Sequence, residues 1–94
     1  MELNGAELVV KALRAEGVEV IFGVIGSSIL DLADAIARSP GLRFVPTQTE
    51  QAAAYMADGY ARVTGKPGVC CATVGPGATN LLGGVAQAFL ESSP

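Results

Sequence analysis

The chain contains no histidine and no tryptophan, and its only cysteines are the adjacent pair Cys70 and Cys71. Without histidine, these residues cannot assemble a histidine metal site, a Ser-His-Asp triad or a Cys-His pair. Two neighbouring cysteines are too few and too close for a disulfide framework or a metal site of their own. Inside the apolar run "GVCCATV" they are expected to be buried strand thiols. Long apolar runs are also missing, since none approaches the roughly 18 residues that a membrane span needs. The opening "MELNGAELVVKALR" carries acids where a signal peptide has a basic region. A cytoplasmic setting without a membrane partner is therefore the expectation. Basic charge is scarce as well, with 6 Lys and Arg against 9 Asp and Glu and a net charge of -3. That balance does not suit a nucleic-acid partner.

What the chain does contain alternates regularly. "NGAELVVKALRAEG" places Asn4 as an N-cap with Glu7 in capping-box position, sets Leu8, Val9, Ala12 and Leu13 on one stripe, and ends at Gly17. "VEVIFG" reads as a first strand, and "SSILDLADAIARS" as a second helix with Ser28 and Asp31 in capping-box spacing. "LRFVPT" is the second strand. A third helix spans the segment from Thr47 to its stop at Gly65. "GVCCATV" is a third strand of the kind buried on both faces, and "GPGATNLLGGVAQAFLESS" is a fourth helix entered through a glycine turn. Helices between successive strands are what parallel pairing requires. The fold class predicted is α/β, an open parallel sheet with helices on both faces, forming an incomplete doubly wound fold. With 94 residues there are fewer strands than such a sheet usually has, so residues 1–94 are expected to be the N-terminal part of a larger domain, cut after the fourth helix.

The helix charges separate one residue from the rest. Glu7 with Lys11, Asp34 with Arg38, and Asp58 with Arg62 are spaced for solvated i,i+4 pairs, each contributing about 0.2–0.5 kcal/mol. Glu50 has Ala53 and Ala54 where a cation would stand. Thr47 and Glu50 fit a capping box, which would account for the acid as a helix cap. A helix that follows a parallel strand also starts at the carboxyl edge of the sheet, where ligands of open α/β folds bind. The turns "FGVIGSS" and "VGPGATN" belong to that same edge. Gly75, Gly77 and Asn80 give G-x-G-x-x-N, which lacks the last glycine of the dinucleotide fingerprint, and no lysine follows to make a phosphate loop. Tight strand-to-helix turns and a rim that admits a flat ligand both remain open readings.

Taken together, "TEQAAAYMADGYARVTGKPGVCCATVGPGATN" and the preceding "GVEVIFGVIG" resemble the N-terminal pyrimidine-binding domain of thiamine diphosphate-dependent enzymes of the acetolactate synthase and pyruvate oxidase type. The resemblance covers nearly the whole chain, through E-Q-x-A-x-x-M-A-D-G-Y-A-R joined to G-P-G-A-T-N. It implies a thiamine diphosphate-binding fold and a carboligase or decarboxylase acting on a 2-keto acid. It implies that Glu50 bonds N1′ of the cofactor's aminopyrimidine and favours its imino tautomer, whose 4′-nitrogen removes the C2 proton of the thiazolium. Such an acid needs apolar surroundings and no adjacent cation, which Ala53 and Ala54 suit.

By the same resemblance Ile25, Gly26, Thr73, Pro76 and Asn80 surround the pyrimidine or the mouth of the substrate channel. Many relatives have proline where this chain has Ile25, Gly-Gly-Ala where it has Gly26, Ser27 and Ser28, and histidine where it has Thr49. The Mg²⁺ that holds the diphosphate is expected in a separate C-terminal domain with a Gly-Asp-Gly motif, Asp58-Gly59 being inside a helix. No metal ligand is expected in this chain, FAD can accompany the complete enzyme, and the isolated chain is expected to be inactive. The complete enzyme is expected to be a homodimer or tetramer, with residues 81–90 as an association surface. The alternative is a non-catalytic binding or association domain in which Glu50 is only a helix cap.

Overall fold

The computed structural model describes residues 3–94. Helix α1, Gly5–Ala15, leads into strand β1, Val20–Gly23, and a single 3₁₀ turn at Ser27–Ile29 opens helix α2, Leu30–Ala37. Strand β2, Arg43–Pro46, is followed by helix α3, Glu50–Thr64, strand β3, Cys70–Cys71, and helices α4, Pro76–Asn80, and α5, Leu82–Leu90. The three strands are parallel in the order β2-β1-β3, with Ile21 beside Phe44, Phe22 beside Val45, and Phe22 beside Cys70. The α/β class and the open parallel sheet are as the sequence predicts.

Alternation along β1 divides the core. Ile21 points to one face, where Val10 of α1 and Ala35 and Ile36 of α2 pack with Val18 and Leu42. Val20 and Phe22 point to the other, under Ala53 and Ala57 of α3, with Val45, Tyr60 and Cys70 around them. Ile21 and Ile36 are the largest fully buried side chains, and each such burial stabilises the fold by about 1.5–3 kcal/mol.

Several local expectations change. The Asn4–Glu7 capping box forms in both directions. Glu7 is thereby turned toward the helix start and lies 3.7 Å from Arg38, and no ion pair joins it to Lys11 among the described residues. The Ser28–Asp31 box is absent: neither the 3₁₀ turn nor α2 has a side-chain cap, because the Ser28 hydroxyl is engaged elsewhere. Strand β3 is shorter than predicted and half-buried rather than enclosed, since β1 is its one paired neighbour. The fourth helix divides at Leu81, whose N–H bonds the Ala78 carbonyl three residues back and tightens the turn. Asp34 and Arg38 pair on the surface as expected. Asp58, expected to be solvated, is 8% exposed; it bonds Arg62 Nε at 3.1 Å through Oδ2 while Oδ1 has no completed hydrogen bond.

Helix α3 seats deeply because its inner face is built from alanines. Ala53, Ala54, Ala57 and Ala61 are all buried. Helix α5 crosses α3 at Gly84, where a Cβ would overlap Ala54. Gly59, also on α3, has open space around it.

Two predictions follow from this packing. Gly84→Ala is expected to destabilise the chain by about 1–2 kcal/mol, overpacking outweighing the gain in helix propensity. Gly59→Ala is expected to stabilise it by about 0.5–1 kcal/mol. Urea unfolding of both variants checks the opposite signs. The second concerns Asp58, whose carboxyl is held below its ordinary value first by the Ser93 hydroxyl and then by Arg62. A lowered folded-state pKa means that its stabilisation is present above the unfolded value and lost as pH falls through the folded one. The stability gap between the native chain and Asp58→Asn is expected to close below about pH 4, as read from urea midpoints across pH.

Candidate functional site

The carboxyl ends of the three strands set the site. Pro46 ends β2, and the Thr47 N–H reaches back to the Gly23 carbonyl at 2.9 Å, while Val24 N–H approaches the Cys71 carbonyl at 3.4 Å. The segments leaving the strands are thus tied together at one rim. Thr49 is extended (φ -138°, ψ 158°) and its hydroxyl accepts the Ala52 N–H at 3.1 Å, making it the N-cap of α3. The Thr47–Glu50 capping box is therefore overturned. Thr47 donates its hydroxyl to the Thr49 carbonyl at 2.7 Å, and Glu50 is the first helical residue, too early to reach back in a box.

Released from that role, the Glu50 side chain points across the rim to α4. Its Oε1 accepts from Asn80 Nδ2 at 3.3 Å. Its Oε2 lies 3.5 Å from the point a Cβ on Gly77 would occupy. Glu50 is half-buried, and among the described residues no lysine or arginine pairs with it. The carboxylate also stands in the first turn of α3, where the helix macrodipole favours negative charge by about 0.3–1 kcal/mol.

The opposite wall comes from the glycine turn. Gly75 has φ +74°, a conformation that side-chain-bearing residues rarely adopt. Pro76 follows at the start of α4, where a missing N–H costs no helical bond. Gly77 is buried, and a Cβ there would come within 3.0 Å of Thr73 Cγ2. A Cβ on Gly26 would come within 2.5 Å of Thr73 Cβ. The structure thus brings Gly26, Thr73, Asn80 and Glu50 together at one strand-end rim, the cleft, with Pro76 opening the helix that carries Asn80. Ile25, next to Gly26 in the chain, is 46% exposed. Gly77 belongs to the cleft although it was absent from the expected site residues, and its place in G-x-G-x-x-N was the signal for it. Ser28 also belongs there, read from spacing as a cap.

A cavity of about 680 Å³ beside β2, lined by Val20, Phe22, Val45, Met56 and Tyr60 among others, is separate from this cleft. The rim is the better candidate because a carboxylate, an amide and a hydroxyl converge on it. Burial pushes the Cys70 and Cys71 thiols up, with the charge of Cys70 adding to the effect at Cys71, so neither is poised as a thiolate nucleophile. Among the described residues no group of three His, Cys, Asp or Glu is arranged to hold a metal ion. No helix among them is long and apolar enough to cross a membrane.

Comparison with known proteins places the chain in a family. The chain is 54% identical over 92 residues to a probable acetolactate synthase large subunit of Methanococcus aeolicus, which covers 98% of this chain and 15% of that protein. It is 50% identical over 93 residues to the acetolactate synthase large subunit of Haemophilus influenzae, covering 99% of the chain and 16% of the relative. It is 52% identical over 92 residues to the acetolactate synthase isozyme 2 large subunit of Escherichia coli, covering 98% and 17%. The chain thus spans about a sixth of the length of these relatives. Residues 3–94 match the family described as "Thiamine pyrophosphate enzyme, N-terminal TPP binding domain", and the chain belongs to that family.

Proposed function

We propose that the chain supplies the pyrimidine-binding half of a thiamine diphosphate site acting on 2-keto acids, in an acetolactate synthase-like carboligase or decarboxylase. The observation that carries this reading is the placement of Glu50: a half-buried carboxylate with no cationic partner among the described residues, aimed across the strand edge at Gly77 and Asn80. The residues fit an aminopyrimidine. Gly26 and Gly77 let their two turns close directly on Thr73, where any Cβ would crowd it, so backbone lines the rim beside Glu50, and Glu50 offers the acid that a ring nitrogen needs.

When bound, thiamine diphosphate would supply a thiazolium whose C2 adds to a carbonyl and whose ring accepts the electrons released on decarboxylation. Glu50 holds or receives a proton at the ring nitrogen N1′. Asn80 orients the carboxylate by donating to Oε1. Gly26, Thr73 and Pro76 shape the walls, and Ile25 borders the mouth. Ligands for Mg²⁺ and the diphosphate, together with any FAD, belong in this proposal to polypeptide outside residues 1–94. Leu82, Val85, Phe89 and Leu90 form an exposed apolar stripe on α5 suited to a second copy of the chain. In the competing reading Glu50 serves only as charge at the helix start.

Three outcomes are expected. Residues 3–94 can be grafted in place of the matching segment of the Escherichia coli isozyme 2 large subunit. In that chimera Glu50→Gln should leave the melting temperature nearly unchanged. It should slow deuterium exchange at C2 of bound thiamine diphosphate by about 10²–10⁴-fold, the usual contribution of acid–base catalysis. Equal exchange rates at matched stability would reduce Glu50 to a helix-terminal charge. The purified 94-residue chain, given pyruvate, Mg²⁺ and thiamine diphosphate, should show no turnover above a protein-free control. In sedimentation velocity the chain should associate with rising concentration, and Phe89→Asp should weaken that association; a monomer at all concentrations would contradict it.

A further inference from the structure

The turn between β1 and α2 is fastened to the cleft by one side-chain bond. Ser28 Oγ and Thr73 Oγ1 lie 2.5 Å apart, at the short end for a bond between hydroxyls. The bond joins positions 45 residues apart in the sequence. Ser28 lies inside the 3₁₀ turn, caps neither that turn nor α2, and has no other side-chain hydrogen bond among the described residues. The same turn presses its backbone on the same threonine, since a Cβ on Gly26 would meet Thr73 Cβ at 2.5 Å and Oγ1 at 2.9 Å. The Ile29 N–H closes the turn on the Gly26 carbonyl at 3.1 Å. On its other side Thr73 abuts Gly77, the residue that Glu50 Oε2 also faces. Thr73 is therefore the link between the 24–29 turn and the carboxylate.

We propose that Ser28 is a positioning residue of this cleft: its bond to Thr73 latches the 24–29 turn against the end of β3 and fixes the width of the space in front of Glu50. Within a pair of hydroxyls one O–H is consumed and the other stays free to donate. The latch thus also leaves one O–H at the rim, held in place for an acceptor atom on the ligand. The ligand part of this inference rests on the thiamine diphosphate half-site, and the latch itself does not. Losing the latch widens the cleft and frees the Thr73 rotamer, so affinity suffers more than the proton transfer that Glu50 performs.

Amide hydrogen exchange of the 94-residue chain, followed by NMR, reads the latch with no cofactor present. Ser28→Ala and Thr73→Val are each expected to speed exchange at the Ile29 N–H by about three- to tenfold, the worth of one net hydrogen bond. Ser28→Thr should restore protection, and the double variant should exchange no faster than either single one. Should Ser28→Ala fail to fold, Thr73→Val removes the same bond from the other side. In the chimera, Ser28→Ala is expected to raise KM for thiamine diphosphate by a similar factor, with kcat falling less and Ser28→Thr rescuing KM. Unchanged exchange at Ile29, or additive effects in the double variant, would overturn the latch. Faster exchange with unchanged KM would overturn its positioning role. Glu50→Gln, measured in parallel, reports on the half-site by itself: normal C2 exchange there would remove the half-site reading while the Ile29 result still decides the latch.

Discussion

The closeness with which α3 lies on its neighbours governs the rest of the structure. Ala53 and Ala57 put the helix directly over Phe22, and Gly84 lets α5 approach Ala54 without an intervening side chain. On the strand side, Gly68 lies against the Ala57 carbonyl, where a Cβ would overlap it. Larger residues at these points would lift α3 from the sheet. Glu50 is the first residue of that helix, so the seating depth of α3 determines where the carboxylate stands relative to the strand ends. The α4–α5 segment, packed on the same helix, returns Asn80 to meet it.

The two acids of α3 show how position divides their roles. Asp58, two turns along, is nearly covered and is paired through Oδ2 with Arg62. Its work is structural, in keeping with burial that is tolerated only for a paired charge. Glu50 has a neutral amide for a partner.

Much of this was legible in the sequence because the relevant signals are local. The short apolar run "VEVIFG", the Asn4–Glu7 capping box and the stops at Gly17 and Gly65 report backbone geometry that each segment settles with its immediate neighbours. The capping assignments were less secure for a physical reason. Thr47 and Thr49 both carry hydroxyls able to cap, and the bond of Thr47 N–H to the Gly23 carbonyl, a contact with another strand, ties Thr47 to the sheet and leaves the cap to Thr49. Ser28 illustrates the same limit, since its partner Thr73 is remote in sequence and no spacing rule reaches it. Gly77 had a visible motif, but its importance lies in the close approach to Thr73 beside Glu50 that a missing Cβ permits, a property of the assembled rim. The Cys70–Cys71 strand looked enclosed from composition alone, yet its burial depends on neighbours that the segment itself does not specify.

The central claim is that Glu50 faces the aminopyrimidine of a cofactor seated between the Gly26 turn and the Gly75–Gly77 turn. A crystal structure of the chimera carrying thiamine diphosphate tests it most directly. The account predicts the Glu50 carboxylate within hydrogen-bond distance of ring N1′, about 2.5–3.0 Å, with Asn80 still on its other oxygen and the ring against Gly77. A ring bound away from this cleft, with Glu50 contacting only Asn80 and solvent, would contradict it.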